Sequence, residues 1–151
     1  MRILVVDVGG SHVKVLATEQ RTPIKIPSGP AMTPAGMVRD VRAATQSWKY
    51  EAVSVGYPGA VLHGKPVAEP RNLGPGWGFN FRKAFGCPVK VSNDAAMQAW
   101  GSYKGGRMLF LGLGTGLGSA MIIDASWSPW NWRICRTKKD GPTRTTSAKP
   151  V

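Results

Sequence analysis

The strongest constraint on this chain lies at its start, where Ile3, Leu4, Val5 and Val6 run into Asp7-Val8-Gly9-Gly10-Ser11. A continuous apolar run rich in β-branched residues predicts a central strand buried on both faces. The diglycine after it predicts a sharp turn with positive φ that brings backbone N–H groups close to a ligand. Ser11 adds a hydroxyl, Lys14 adds a positive charge, and Val13, Val15 and Leu16 resume an apolar pattern, so the unit reads as strand, glycine turn, second strand. Two meanings stay open from the residues alone. One is a phosphate-cradling hairpin with Asp7 poised near a metal or a proton; the other is an ordinary hairpin with a diglycine turn. The Walker pattern GxxxxGK[ST] is absent from this stretch.

Composition narrows the classes. The chain has 151 residues, of which 42% are hydrophobic and 19% charged, and that predicts one globular unit with a real core. No apolar run approaches the roughly 20 residues of a membrane span. The start Met1-Arg2 leads directly into a strand rather than into a signal-peptide layout. Two cysteines, Cys87 and Cys135, offer neither a disulfide framework nor a metal-ligand spacing. The expectation is a reduced, cytoplasmic protein with no membrane partner. The net charge of +12 divides unevenly: residues 125–151 hold six basic groups and one acidic group, +5, and the other 124 residues hold 14 and 7, +7. A moderately basic body fits a polyanionic ligand.

Along the chain, Ile24 and Ile26 alternate with Lys25 as a third short strand, ended by Pro27-Ser28-Gly29-Pro30. Thr33 reads as a helix N-cap with Pro34 in the first turn, and Met37, Val38, Val41, Ala44 and Trp48 follow at near-helical spacing. Residues 52–56 are another buried-strand run, with 57–61 as a loop at its end and His63-Gly64-Lys65 as a turn. The Gly- and Pro-rich stretch 70–79 is irregular; residues 79–85 suit a short helix and 89–91 a short strand. Asn93-Asp94 stands where that strand passes into a helix over 95–103. Residues 108–113 and 120–123 are strands around the glycine-rich turn Gly114-Thr115-Gly116-Leu117-Gly118. The order predicts an α/β protein with a mixed sheet, flanking helices and ligand loops at strand ends.

Asp94 has two readings. It can cap the helix by accepting backbone N–H bonds, or it can serve as a general base that takes a proton from a substrate hydroxyl, with Asn93 bonding a neighbouring hydroxyl. The second glycine turn is either a tight hairpin or a further set of N–H donors for phosphate. Phosphoryl transfer asks little more of a protein than a placed nucleophile, held phosphates and neutralised charge.

Taken together, these stretches resemble the ROK family of sugar kinases, and within it the polyphosphate-dependent glucokinases. The matching residues are Asp7 to Lys14, Val55-Gly56-Tyr57-Pro58-Gly59, Asn72-Leu73, Val91-Ser92-Asn93-Asp94-Ala95 and residues 113–119, in the family's order. The resemblance covers residues 1–124. It implies the N-terminal lobe of the actin-like ATPase (ribonuclease H-like) fold and transfer of a terminal phosphoryl group from ATP or polyphosphate, with Mg2+, to a hydroxyl of glucose or a similar hexose. Asp94 matches the catalytic base; Asn93, Asn72 and Gly59 match the sugar side. Asp7, Gly9, Gly10, Ser11 and Lys14 match the first phosphate loop, and Gly114, Thr115 and Gly116 the second. Ser11 stands where the family usually has threonine. No zinc-binding His/Cys cluster is seen, as in the polyphosphate-using branch, and no helix-turn-helix precedes the hairpin, unlike the repressor branch. A homodimer is compatible with the full-length family, and nucleic acid is not an expected partner. The alternative is a non-catalytic basic module that binds polyanions.

The resemblance stops near Asp124. Residues 125–151 carry Trp127, Trp130 and Trp132 and a Lys/Thr/Pro tail, where the family continues with a Glu/His element and a second lobe. Allowed codons for this stretch can be chosen so that the neighbouring frame reads as a family-like continuation containing an E-L-x-H-L segment. Tryptophan has a single codon, so three tryptophans constrain that choice. The tail is therefore expected to be a frameshifted, disordered extension and the chain a lobe without its partner lobe; the rival is a genuine basic-aromatic arm that binds nucleic acid or polyphosphate through charge and stacking rings.

Overall fold

The computed structural model describes residues 1–113 and 117–123. Five strands form the main sheet in the order β3-β2-β1-β4-β7. They are β1 (Ile3–Val8), β2 (His12–Ala17), β3 (Ile24–Pro27), β4 (Ala52–Tyr57) and β7 (Val89–Asn93). The first three form an antiparallel meander, and β4 and β7 add in parallel to β1. Helix α1 (Pro34–Ala44) makes the crossover from β3 to β4, and α2 (Phe81–Phe85) precedes β7. A small ribbon of β5 (Val61–Leu62) and β6 (Lys65–Pro66) lies between them, folded back at His63-Gly64, where both residues have positive φ. Helix α3 (Asp94–Ser102) follows β7 directly, and a separate hairpin of β8 (Met108–Leu113) and β9 (Leu117–Ile122) closes the described chain. The mixed sheet is thus as expected, but the last two strands form their own sheet.

Alternation decides which residues are buried. Leu4, Val6 and Val8 of β1, Val13 and Val15 of β2, and Val53, Val55 and Tyr57 of β4 share one face with Met37 and Val41 of α1 and Phe81 and Phe85 of α2. The other face of β1 carries Ile3, Val5 and Asp7, and Val5 is 37% exposed. Burial on both faces, expected from the apolar run, is therefore not what β1 has. The helices α1 and α2 cover one side; on the other, α3 lies mainly over β4 and β7 and reaches β1 at Asp7 through Gln98. Ser54 Oγ on that second face points at Met97 Sδ of α3, 3.7 Å away.

Local chemistry sets the helix ends. Thr33 Oγ1 accepts the Gly36 N–H at 3.2 Å with Pro34 next in line, the expected start of α1. The helix stops at Ala44, before Trp48, because Thr45 leaves helical geometry and bonds back to Val41 O with both its N–H and its hydroxyl. Asn80 caps α2 and Gly86 ends it at φ 73°.

The hairpin β8–β9 packs one side on α3, through Ala99, Ala120 and Ile122. Its other side is bare: Leu109, Leu111, Leu113, Leu117 and Met121 are each at least 51% exposed. No helix among the described residues is long and apolar enough to cross a membrane.

These two surfaces should respond oppositely to mutation. Leu4→Ala should cost about 2–5 kcal/mol in urea unfolding, since it empties a site in the core. Leu111→Lys should change stability by no more than about 0.5 kcal/mol while raising the soluble concentration in light scattering. A loss as large as that of Leu4→Ala would show the Leu111 face to be covered.

Candidate active site

The carboxyl ends of the parallel strands β1, β4 and β7 carry Asp7, Gly56-Tyr57 and Asn93, and the first residue of α3 is Asp94. In the ladder Asp7 lies opposite Gly56 on one side and Lys14 on the other. A Cβ built on Gly56 would run into the Met97 methyl and sit 3.4 Å from the Asp94 Cα. Only a bare backbone lets the start of α3 come this close to the Asp7 face of the sheet.

The two carboxylates are within electrostatic reach of each other. Burial pushes the Asp7 carboxyl above its ordinary range, against Lys14 and a hydrogen bond with Gln98. Burial also raises Asp94; the Ala95 N–H opposes it, and the negative charge of Asp7 adds to the rise. Two partly buried acids that repel each other are a common arrangement at catalytic sites. Gln98 had not been singled out from the sequence. Its signal was there, because a residue four after Asp94 falls on the same helix face.

The helix cap falls to the neighbour of the residue first considered for it. Asn93 Oδ1 accepts the Ala96 N–H at 3.1 Å, and Asn93 Nδ2 donates to Gly59 O at 3.1 Å. Asp94 is the first helical residue; its carboxylate accepts the adjacent Ala95 N–H at 2.8 Å and is also favoured by its own backbone N–H and by the Asn93 side chain. Capping of α3 thus falls to Asn93, with Asp94 beside it at the helix start. Gly59 is held tightly, since a Cβ there would meet the Tyr57 ring at 2.8 Å.

The first glycine loop also departs from expectation. Neither Gly9 nor Gly10 has positive φ. Their lack of a side chain serves close approach instead. A Cβ on Gly9 would lie 2.7 Å from His12 O, and one on Gly10 would lie 3.1 Å from the Asn72 Cβ. The Gly9 N–H donates to His12 O at 3.1 Å. Ser28 ties the loop to the end of β3: its hydroxyl donates to Gly9 O at 2.6 Å and its N–H to Ser11 O at 3.0 Å. Ser11 and Lys14 are exposed.

Asn72 reaches Gly10 because the long loop around it is built on an aromatic column. Tyr57 packs on Trp77 at 5.5 Å and Trp77 on Phe81 at 6.3 Å between ring centroids. Trp77 Nε1 donates to Gly74 O at 2.6 Å, and the Gly74 N–H donates to Met32 O at 2.9 Å. Glu69 accepts the N–H groups of Gly76 and Trp77, both at 3.2 Å. Tyr57 donates to Ala68 O, and burial with the Glu69 charge raises its phenol to about 12, so it stays a donor.

Asp7, Gly10, Lys14, Gly59, Asn72, Asn93 and Asp94 therefore gather along one edge of the sheet. Gly114, Thr115 and Gly116 lie outside the described residues, as does the tail 125–151. Gly118 of β9 does approach the site, its Cβ position being 3.0 Å from the Ala95 Cβ. Among the described residues, no three His, Cys, Asp or Glu side chains cluster to hold a metal by themselves. Mg2+ often takes only one or two carboxylates and shares the rest of its shell with water and substrate phosphates. Asp7 fits that lesser demand.

The sequence model of the ROK family matches residues 3–128. The chain belongs to the ROK family. Solved structures agree in fold. One is described as a "putative sugar kinase" from Cytophaga hutchinsonii ATCC 33406; it is 25% identical with a TM-score of 0.65, covering 82% of this chain and 48% of that one. A ROK family protein from Streptococcus pneumoniae TIGR4, in complex with sucrose, is 20% identical at 0.63, covering 82% and 46%. A ROK hexokinase from Thermus thermophilus is 20% identical at 0.61, covering 83% and 48%. No curated protein sequence matches significantly. The chain spans about half the length of these solved relatives. Its described residues form the N-terminal part of the actin-like kinase fold.

The two hydrogen bonds of Asn93 give the site its check. Asn93→Ala should destabilise by about 1–2 kcal/mol in denaturant unfolding through loss of the cap. Asn93→Ser should recover most of that, since its hydroxyl keeps the cap acceptor without adding charge and loses the donor to Gly59. Equal losses in both variants would move the weight from the cap to the Gly59 bond.

Proposed function

We propose that the chain carries the acceptor-activating and phosphate-holding half of a sugar kinase. The supporting observation is the convergence of Asp7 and Asp94, from two parallel strand ends, on a Gly56 backbone that admits them both. In this reading Asp94 takes the proton of a sugar hydroxyl. The hydroxyl oxygen attacks the terminal phosphorus of ATP or polyphosphate, and the bond to the bridging oxygen breaks, leaving ADP or a shortened polyphosphate. Asn72 and Gly59 border the sugar, and Asn93 holds their frame as much as the sugar itself. Gly10, Ser11 and Lys14 would bind the phosphates, as would Gly114, Thr115 and Gly116 by the likeness of their motif; Gly9 shapes the first loop. Asp7 would hold Mg2+, which neutralises phosphate charge when bound. Glucose is the first sugar to test, by the likeness of the motifs to polyphosphate glucokinases. A non-catalytic polyanion-binding module is the second reading, favoured by the net charge of +12.

We further propose that residues 125–151 result from a shifted reading frame. The family match ends at residue 128, and the tail's composition differs from all that precedes it. Sequencing the gene from the codon of Met108 onward should reveal a family-like continuation in the neighbouring frame. A frame with no such continuation would make the tail a native element. Water exclusion and in-line placement of the donor need a closed cleft.

Asp94→Asn tests the enzymatic reading. In the protein with the restored frame, glucose phosphorylation should fall at least about a hundredfold; unchanged turnover would sink the role of Asp94. Thermal unfolding of the present chain gives a second readout. An acid whose folded pKa is raised favours folding when protonated, and that contribution fades as pH rises through the folded value. At pH 7 the raised acid therefore costs stability, and Asp94→Asn should keep or raise Tm there. The gain should shrink as pH falls below the raised value and vanish below the ordinary carboxyl range.

A further inference from the structure

The end of the sheet opposite the candidate active site carries a different constellation. Between the end of α1 and the starts of β1 and β4 lies a hollow of about 500 Å³, bordered by Arg2, Arg42, Gln46, Trp48, Lys49 and Tyr50. The segment after α1 builds it. Thr45 ends the helix, and its carbonyl accepts the Trp48 N–H at 2.9 Å, which turns the chain back towards β4. Arg2 and Glu51 tie the two strand starts together: the Glu51 N–H donates to Arg2 O at 2.9 Å, and the Arg2 N–H donates to Glu51 Oε2 at 2.8 Å. Trp48 and Tyr50 are half-buried, packed in part on the core and open in part to the hollow. Arg42 Nη1 donates to Ala84 O at 3.0 Å, which anchors its guanidinium at the rim. No carboxylate borders the hollow. Glu51, next in the chain, accepts the Arg2 N–H and lies 3.9 Å from the Met1 amino group. Among the described residues, the side chains of Arg2 and Lys49 have neither a hydrogen bond nor an ion pair.

We infer that this hollow is a second ligand site, which takes a nucleoside triphosphate that is bound and not consumed. Three cations around one concavity attract a group that carries several negative charges. Two ring side chains beside them give a base a flat surface on which to stack. A bare polyanion would use the cations alone, and a neutral sugar would use none of them. The volume is that of an ordinary small-molecule site. The stretch of β1 from Arg2 to Asp7 spans about 17 Å, so a nucleotide here is out of reach of the residues proposed for catalysis. The site does not rest on the kinase reading, since none of its residues belongs to the edge that holds Asp7 and Asp94.

The test is photolabelling of the full chain with 8-azido-ATP at fixed moderate salt, with the labelled residues located by mass spectrometry. Label should appear within residues 43–51, and ATP in excess should prevent it. Label confined to the glycine loop, or label in 43–51 that ATP does not prevent, would overturn the site. Lys49→Glu should raise the concentration for half-maximal labelling of 43–51 about tenfold. It should keep its Tm, because Lys49 is exposed. Lys65→Glu makes the same charge change on β6, beside a different cavity, and should stay within about twofold. Equal losses in the two variants, or no loss in either, would overturn the site. Tripolyphosphate and adenosine should each compete at least about tenfold less well than ATP, since each offers half of the recognised groups. Tripolyphosphate that competes as well as ATP would reduce the hollow to a polyanion patch. Oligodeoxythymidylate that competes better than ATP would assign the stacked base to a nucleic-acid strand. Either result overturns the nucleotide site. None of these readouts uses phosphoryl transfer, so the site stands or falls apart from the kinase reading.

Discussion

The site depends first on the parallel register of β1, β4 and β7. Parallel neighbours point their carboxyl ends the same way, so residues far apart in sequence, Asp7, Gly56 and Asn93, emerge at one edge. The antiparallel meander then sets Lys14 against Asp7 across a single ladder step. A one-residue slip would turn Asp7 into the core and one of the valines out. The alternating burial of Leu4, Val6 and Val8 prevents that slip, so the hydrophobic core fixes the position of the acid without touching it.

Close approach of backbones is the second organising feature. At Gly9, Gly10, Gly56 and Gly59 a Cβ would meet a carbonyl, Asn72, Met97 or the Tyr57 ring. These contacts let three loops and one helix start share a small volume. The polar groups released by that crowding are satisfied locally: Asn93 takes the cap and Gly59, Ser28 takes the glycine loop, and Glu69 takes the backbone before the aromatic column. Such a site is held by its supporting bonds before any ligand arrives.

Much of this was legible in the chain because the signals were local. The apolar runs gave the strands, Thr33-Pro34 gave the start of α1, and the spacing after Asp94 gave α3. What was misread needed knowledge of neighbours. An apolar run cannot say how much of each face will be covered, and Val5 is half open because α3 reaches only part of the sheet. A diglycine signals freedom, but whether it is used for positive φ or for contact depends on what lies beside it, here His12 O and Asn72. Asn93 and Asp94 are both good caps, and the choice turned on β7 extending through Asn93. The contribution of Glu69 and Trp77 was hidden in an irregular Gly- and Pro-rich loop that has no periodicity to read.

The electrostatics and the shape of the cleft are separable parts of this fold. Burial raises both Asp7 and Asp94, and Lys14 stands opposite Asp7 on the meander. These groups sit on β1, β2 and the start of α3. Exclusion of water is different, because it requires walls on every side, and the bare leucines of β8 and β9 lie on the face directed away from α3. The described residues therefore hold a charged edge with its supporting bonds, whereas a water-poor site needs walls around that edge as well.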